Sequence, residues 1–179
     1  MTTNVLIAFY STYGHVHRMA LAAAKGAESV PDVTVRLRRI AELEEARKAL
    51  SVQEAYVRAQ QAQADIAVVT HDDLRWADGI AWGTPTRYGN MSAQMKQFVD
   101  TTGALWLKGE LEDKATGIFT STATIHGGQE TTILTALVPL IHLGMVFVGT
   151  PYGQVDVNGA SSDAARAPHR RDARRCAER

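Results

Sequence analysis

Residues 5–9 read Val-Leu-Ile-Ala-Phe, an unbroken apolar run of strand-forming residues. A strand with one wet face alternates polar and apolar positions. One covered on both faces does not, and such strands belong to parallel sheets with helices packed above and below. The run stops at Tyr10-Ser11-Thr12-Tyr13-Gly14, and a helical pattern begins within a few residues. In that pattern Ala20, Ala23, Ala24 and Ala27 carry small side chains that let a helix lie close to a sheet. The start of the chain therefore commits it to a central strand, a turn and a helix of an α/β sheet with right-handed crossovers.

The remaining elements follow the same grammar. Val33–Leu37 alternates and is bounded by Pro31-Asp32, which suits a strand nearer an edge; Gly79–Gly83, Ala115–Phe119 and a buried Met145–Val148 complete a set of five. Between them, Met91, Met95, Phe98 and Val99 fall at helical spacing with Lys96 and Gln97 outward and Gly103 as the stop. A helix from about Glu130 to Leu143 is expected to bury Ile133, Leu137 and Ile141, to bend at Pro139 and to end at Gly144. Five strands favour a flavodoxin-like three-layer sandwich, order 2-1-3-4-5 with helices on both faces, over a six-stranded dinucleotide fold.

Residues 41–77 form an added helical and loop segment. Ala41 to Ala64 is rich in Ala, Glu, Arg and Gln, with Leu43, Ala46 and Leu50 at helical spacing. Ile66–Val69 is expected to be extended loop, because Thr70 and Asp73 have the spacing of a capping box that starts a short helix at once.

Composition narrows the function. With 179 residues, 45% of them hydrophobic, the chain can bury the core of one domain. Formal net charge is zero, which gives no electrostatic reason to expect nucleic acid. Cys176 is the only cysteine, so an intramolecular disulfide and a cysteine-rich metal site are excluded and a reducing, cytoplasmic setting fits. His15 and His17, two apart, match no zinc spacing, so no metal is expected. The longest apolar stretch, Ile133–Gly149, is interrupted by Pro139, His142 and Gly144, which argues against an integral membrane segment.

Ligands of open parallel sheets bind beyond the carboxyl ends of the strands. The segments there are STYGHV, TPTRYGNM and STATIHGG, all rich in glycine and hydroxyl residues. Ser11 and Thr12 offer hydroxyls where the free amides of a helix start converge, a seat for one phosphate. The lysine and metal-binding hydroxyl of a triphosphate loop are missing, as is the G-x-G-x-x-G of a pyrophosphate loop. A terminal phosphomonoester, as in FMN, needs only hydroxyls and amides. Any one such loop reads equally well as an ordinary turn; three at one sheet edge are improbable as turns alone.

STYGHVHRMA, GTPTRYGNMSAQMKQFVDTTGALW, and GGQETT with IHLGMV resemble the WrbA family of flavodoxin-like NAD(P)H:quinone oxidoreductases, in order from about Asn4 to Gln154. The resemblance implies one FMN-binding domain over residues 4–154, non-covalent FMN, two-electron reduction of quinones with NADH or NADPH as donor, and a homotetramer or homodimer. Carried over, Ser11, Thr12, Tyr13, Gly14, His15 and Val16 would hold the phosphate and ribityl chain. Thr86, Arg87 and Tyr88 would line the isoalloxazine. Ser121, Thr122, Ala123, Thr124, Ile125 and His126 would form a third wall, with Tyr13 beside the nicotinamide nucleotide, Trp106 beside the quinone and His142 near the flavin. The third loop departs from the family pattern, since Ala123 replaces a glycine and Ile125-His126 add a residue.

The mechanism implied is a ping-pong cycle with hydride passing through flavin N5, in which the protein positions the flavin and no side chain acts as catalytic acid or base. Two other classes share the fold. A flavodoxin-type FMN electron carrier normally has a strongly acidic surface, and zero net charge does not support one. A response-regulator receiver needs acidic residues where Tyr10-Ser11 stand. From Val155 the chain departs from the family: residues 155–179 are arginine-rich, lack aromatics and read as a divergent, disordered tail.

Overall fold

The computed structural model describes residues 2–149. Strand β1 (Thr3–Phe9) is buried from Leu6 to Phe9 and looks two ways. Leu6 and Ala8, with Tyr10 after the strand, enter one core cluster; Ile7 and Phe9 enter another on the opposite face. This is the double coverage that the unbroken apolar run required. β2 (Val33–Arg39), β3 (Gly79–Pro85), β4 (Ala115–Ser121) and β5 (Val146–Phe147) join it in one parallel sheet ordered β2-β1-β3-β4-β5. Phe9 stands opposite Gly83, and Pro85 opposite Ser121, so β1, β3 and β4 finish at a common edge.

Helix α1 (His15–Glu28) packs Val16, Ala20 and Ala24 on the Ile7–Phe9 face. On the other face, α4 (His71–Trp76), α5 (Ala93–Asp100), α6 (Gly103–Leu107) and α7 (Gln129–His142) contribute Leu74, Met95, Val99, Leu105 and Leu140 to the larger cluster. The added segment is helical as expected, forming α2 (Glu44–Leu50) and α3 (Glu54–Gln61). The capping box is present: Thr70 accepts from the Asp73 amide and the Asp73 carboxylate accepts from the Thr70 amide. Ile66–Val69 is mostly loop, with one parallel bridge from Val68 to Arg39 that extends the β2 edge slightly.

Four expectations are corrected. Gly103 does not stop α5; that helix ends at Asp100, and Gly103 opens α6. Met91 precedes α5, because Ser92 accepts from the Met95 amide as the N-cap and the helix begins at Ala93. In α7 the buried set is Thr132, Ala136, Leu137 and Leu140, while Ile141 is 59% exposed: the helix is rotated by about one residue from the face that apolarity alone selects. β5 is short and exposed at Val146 and Phe147, since it lies at the sheet edge with no outer neighbour among the described residues. The expected boundary at Gln154 and the divergent tail 155–179 lie outside the described residues.

Candidate functional site

At the common strand edge the three hydroxyl-rich loops are bonded to one another. Tyr10 donates its amide to the Gly83 carbonyl at 2.9 Å, and Thr86 donates its amide to the Ser121 carbonyl at 3.3 Å. The Arg87 guanidinium donates to the Thr12 hydroxyl at 2.7 Å, tying the third-strand loop to the first. Thr132, in the first turn of α7, donates to the Thr86 hydroxyl at 2.8 Å.

The first loop has the shape of an anion seat. Gly14 caps α1 at φ 87°, a left-handed conformation in which a side chain would be strained, and no side chain caps the helix amides there. Ser11 and Thr12 are buried, and each hydroxyl already accepts one N–H, from the Gly14 amide at 3.1 Å and from Arg87 respectively. Ser11 keeps its own O–H to donate, and the Thr12 O–H is shared with the neighbouring Tyr10 hydroxyl. Residues 10–17, 84–91 and 121–128 contain no Asp or Glu, so the positive end of α1 and Arg87 face no nearby acidic side chain from these loops. The donor set therefore fits a phosphomonoester. His17, in the first turn of α1, is buried and stacked on Phe9 with ring centroids 5.4 Å apart; burial pulls its pKa below the usual imidazole range.

The second loop turns tightly. Arg87 and Asn90 exchange both backbone hydrogen bonds, with Tyr88 and Gly89 at φ 54° and 77° between them. A bulky residue at positive φ is strained, and here it holds the Tyr88 ring fully in solvent beside the anion seat. The Gly89 backbone lies against Gly128, where a Cβ on Gly128 would come within 3.2 Å of the Gly89 Cα. The third loop is closed by Thr122, which donates to the Thr124 carbonyl at 2.8 Å, and by Gln129, which donates to the Ile125 carbonyl. Ala123, Thr124, Ile125 and His126 are exposed along it, and Tyr13 and His15 are exposed on the first loop.

Trp106 and His142 are placed elsewhere. Both line an open groove between α5, α6 and α7, with Lys96, Thr135 and Val138. The α7 start lies by Gly89, and His142 closes that 14-residue helix at its far end, about 20 Å along the axis. Within one chain the structure brings Ser11–Val16, Thr86–Tyr88 and Ser121–His126 to one edge, and leaves Trp106 and His142 at the other.

The structure adds residues that no local pattern marks. Gln60 and Gln63 donate side-chain amides to the Ser11 carbonyl at 3.0 and 2.9 Å, and Gln60 also to the Thr12 carbonyl at 3.2 Å. Glu42 accepts from the Tyr10 and Tyr56 hydroxyls at 2.8 and 3.0 Å and from the Gln94 amide at 2.6 Å. Burial, with the Glu42 carboxylate beside it, pushes the Tyr56 hydroxyl up to about 12 and raises that of Tyr10 further still, so both remain donors. These partners are 14 to 52 residues apart in sequence, a separation at which composition carries no signal.

Comparison with known proteins identifies the family of the chain. A family model described as NADPH-dependent FMN reductase matches residues 5–158. A protein named NAD(P)H dehydrogenase (quinone) from Geobacter sulfurreducens is 54% identical over 149 residues, which is 83% of this chain and 72% of that one. Another of the same name, from Aromatoleum aromaticum, is 47% identical over 166 residues, 93% of this chain and 79% of that one. Among solved structures, a WrbA-like flavodoxin from Agrobacterium tumefaciens matches with a TM-score of 0.65 at 26% identity, covering 99% of this chain and 96% of that one. With the strand order and these similarities in agreement, the chain belongs to the NADPH-dependent FMN reductase family, as one of its WrbA-like members.

Proposed function

We propose that this protein is an FMN-dependent NAD(P)H:quinone oxidoreductase that reduces quinones by two electrons to quinols. The observation that carries the reading is the anion seat at the start of α1, stitched by Arg87 to a loop that holds an exposed aromatic ring beside it. The names of relatives near 50% identity support the quinone as acceptor. Bound FMN would supply the redox chemistry, taking hydride from NADH or NADPH and delivering it to quinone in a ping-pong cycle.

The chain's own part is binding and orientation. Ser11 and Thr12 donate hydroxyl hydrogen bonds to the phosphate, the amides of His15 and Val16 point at it, and Arg87 offsets its charge. Thr86, Arg87 and Tyr88 line one side of the ring system, and Ser121–His126 the other. Tyr13, its hydroxyl fixed on Gln53 at 2.8 Å, stands where a nicotinamide nucleotide would stack. No acid or base is required of the protein.

Trp106 and His142 act on a flavin held by another copy of the chain, because their own groove is a helix length from their own loops. A homodimer or homotetramer is therefore part of the proposal. The exposed α7 row Leu134, Val138 and Ile141, beside Trp106 and Leu107, supports such an assembly. Among the described residues no helix is long and apolar enough to cross a membrane; a cytoplasmic setting completes the reading.

The test is NADH or NADPH oxidation by benzoquinone, with the full chain titrated with FMN. FMN-dependent turnover is expected. Tight FMN binding without turnover would assign the protein to the electron-carrier class instead.

A further inference from the structure

The added segment bonds the first loop at Ser11, Thr12 and Tyr13 and lies close to Gly14. Gln60 and Gln63 bond the Ser11 carbonyl, Gln60 also bonds the Thr12 carbonyl, Gln53 accepts from the Tyr13 hydroxyl, and Ala59 lies beneath Gly14, 3.8 Å from where a Cβ there would stand. Gln63 is 3% exposed, which is unusual for a neutral polar side chain unless its amide is committed to a partner. The segment is itself pinned, since Tyr56 of α3 and Tyr10 of the first loop donate to the same Glu42 oxygen.

In a trans peptide the carbonyl and the following N–H point in opposite directions. Holding the Ser11 and Thr12 oxygens toward the segment therefore turns the Thr12 and Tyr13 amides away from it. Neither amide donates to another described residue. Two lone pairs on the Ser11 oxygen are both filled, by Gln60 and by Gln63, so that peptide is the more firmly set of the two.

We propose that Gln63, assisted by Gln60, is a positioning residue that fixes the peptide planes following Ser11 and Thr12 so that the Thr12 and Tyr13 amides are preset to receive the phosphate of the flavin nucleotide. The inference rests on the FMN reading above and adds to it: specificity for a phosphorylated flavin is built by the segment between β2 and β3 as well as by the loop that touches the phosphate.

The experiment compares FMN with riboflavin, which lacks only the phosphate, on wild-type protein and on Gln63→Met and Gln60→Met, by quenching of flavin fluorescence. Wild type is expected to prefer FMN. Each variant should lower the FMN-to-riboflavin affinity ratio, by about tenfold for Gln63→Met, with riboflavin binding little changed. Gln60 is only half-buried, so its variant keeps the test open should Gln63→Met not fold. An unchanged ratio in folded variants, or equal loss of both ligands, would overturn the positioning role while leaving the FMN reading intact. A wild type that does not distinguish the two flavins would remove the phosphate reading and this inference with it.

Discussion

The Arg87 guanidinium reaches the Thr12 hydroxyl at 2.7 Å across 75 residues of chain, and its other arm bonds the Thr86 carbonyl at 2.8 Å. One side chain thus sets the spacing between the loop suited to a phosphate and the loop suited to a flat ring. It also brings the only formal positive charge on the three loop segments to the anion seat, neutral histidines aside.

Replacing Arg87 by Met should weaken FMN binding by about ten- to a hundredfold, the range for losing a charge-assisted hydrogen bond. Arg87→Lys should recover part of that loss, because it restores charge without the forked geometry. Fluorescence titration at two salt concentrations checks it: FMN affinity of the wild type should fall more steeply with salt than that of Arg87→Met.

Gly128 combines φ 90° with a backbone approach to Gly89. Gly128→Ala should cost about 1–3 kcal/mol, from conformational strain and from separating the two loops. Gly26, inside α1 with nothing within 4 Å of a built Cβ, is the opposite case. Gly26→Ala should add about 0.5–1 kcal/mol. Urea midpoints at constant m-value would show both signs in one experiment.

His17 binds its proton less readily in the folded chain than in the unfolded one, because it is buried against Phe9. Unfolding therefore takes up a proton once pH falls below the ordinary imidazole pKa of about 6.5. The stability tied to neutral His17 is complete above that pH, declines as pH drops toward the lowered folded pKa, and levels off beneath it. His17→Phe should flatten stability measured between pH 7 and 5.

Asp73 lies beneath Arg36 and Arg38 at 3.1 and 3.2 Å. Burial alone would raise its pKa, but hydrogen bonds from the Thr70 hydroxyl and amide, together with the two guanidiniums, hold it below the usual range. Its contribution is present above the unfolded pKa near 3.9 and is lost as pH falls through the lower folded value. Asp73→Asn should make the acid limb below about pH 4 shallower. Asp73→Ala should cost about 1–3 kcal/mol at neutral pH through the lost cap and the stranded Arg38.

Trp106→Ala should fold, retain FMN and lower quinone turnover by about tenfold without abolishing it, the scale on which one misplaced binding contact acts. Mixing Trp106→Ala subunits with Arg87→Met subunits under exchange conditions should restore activity beyond the sum of the two, because each supplies the group the other lacks.

How far the residues announce the structure depends on the reach of the interaction. The β1 run, the α4 capping box and the Ser11–Gly14 junction are local patterns, and all three stand where their spacing put them. The phase of α7 was not legible, since Ile133 and Ile141 are as apolar as Leu137 and Leu140, which are buried, and nothing in their spacing predicts that Thr132 is buried with them. Only the packing of α7 against β4 and β5 selects between faces. Gln60 and Gln63 were likewise invisible, reading as a polar helix surface until the fold carried them to Ser11.

By itself, then, the order of apolar runs, turns and helix starts determined a five-stranded parallel sheet and the edge at which its glycine and hydroxyl loops gather, because hydrophobic period and turn chemistry act between near neighbours. Only the tertiary structure decided that Arg87 closes on Thr12, that the segment between β2 and β3 grips the first loop, and that Trp106 and His142 face away from it. Those are contacts between distant parts of the chain, and their geometry exists only once the sheet has brought the parts together.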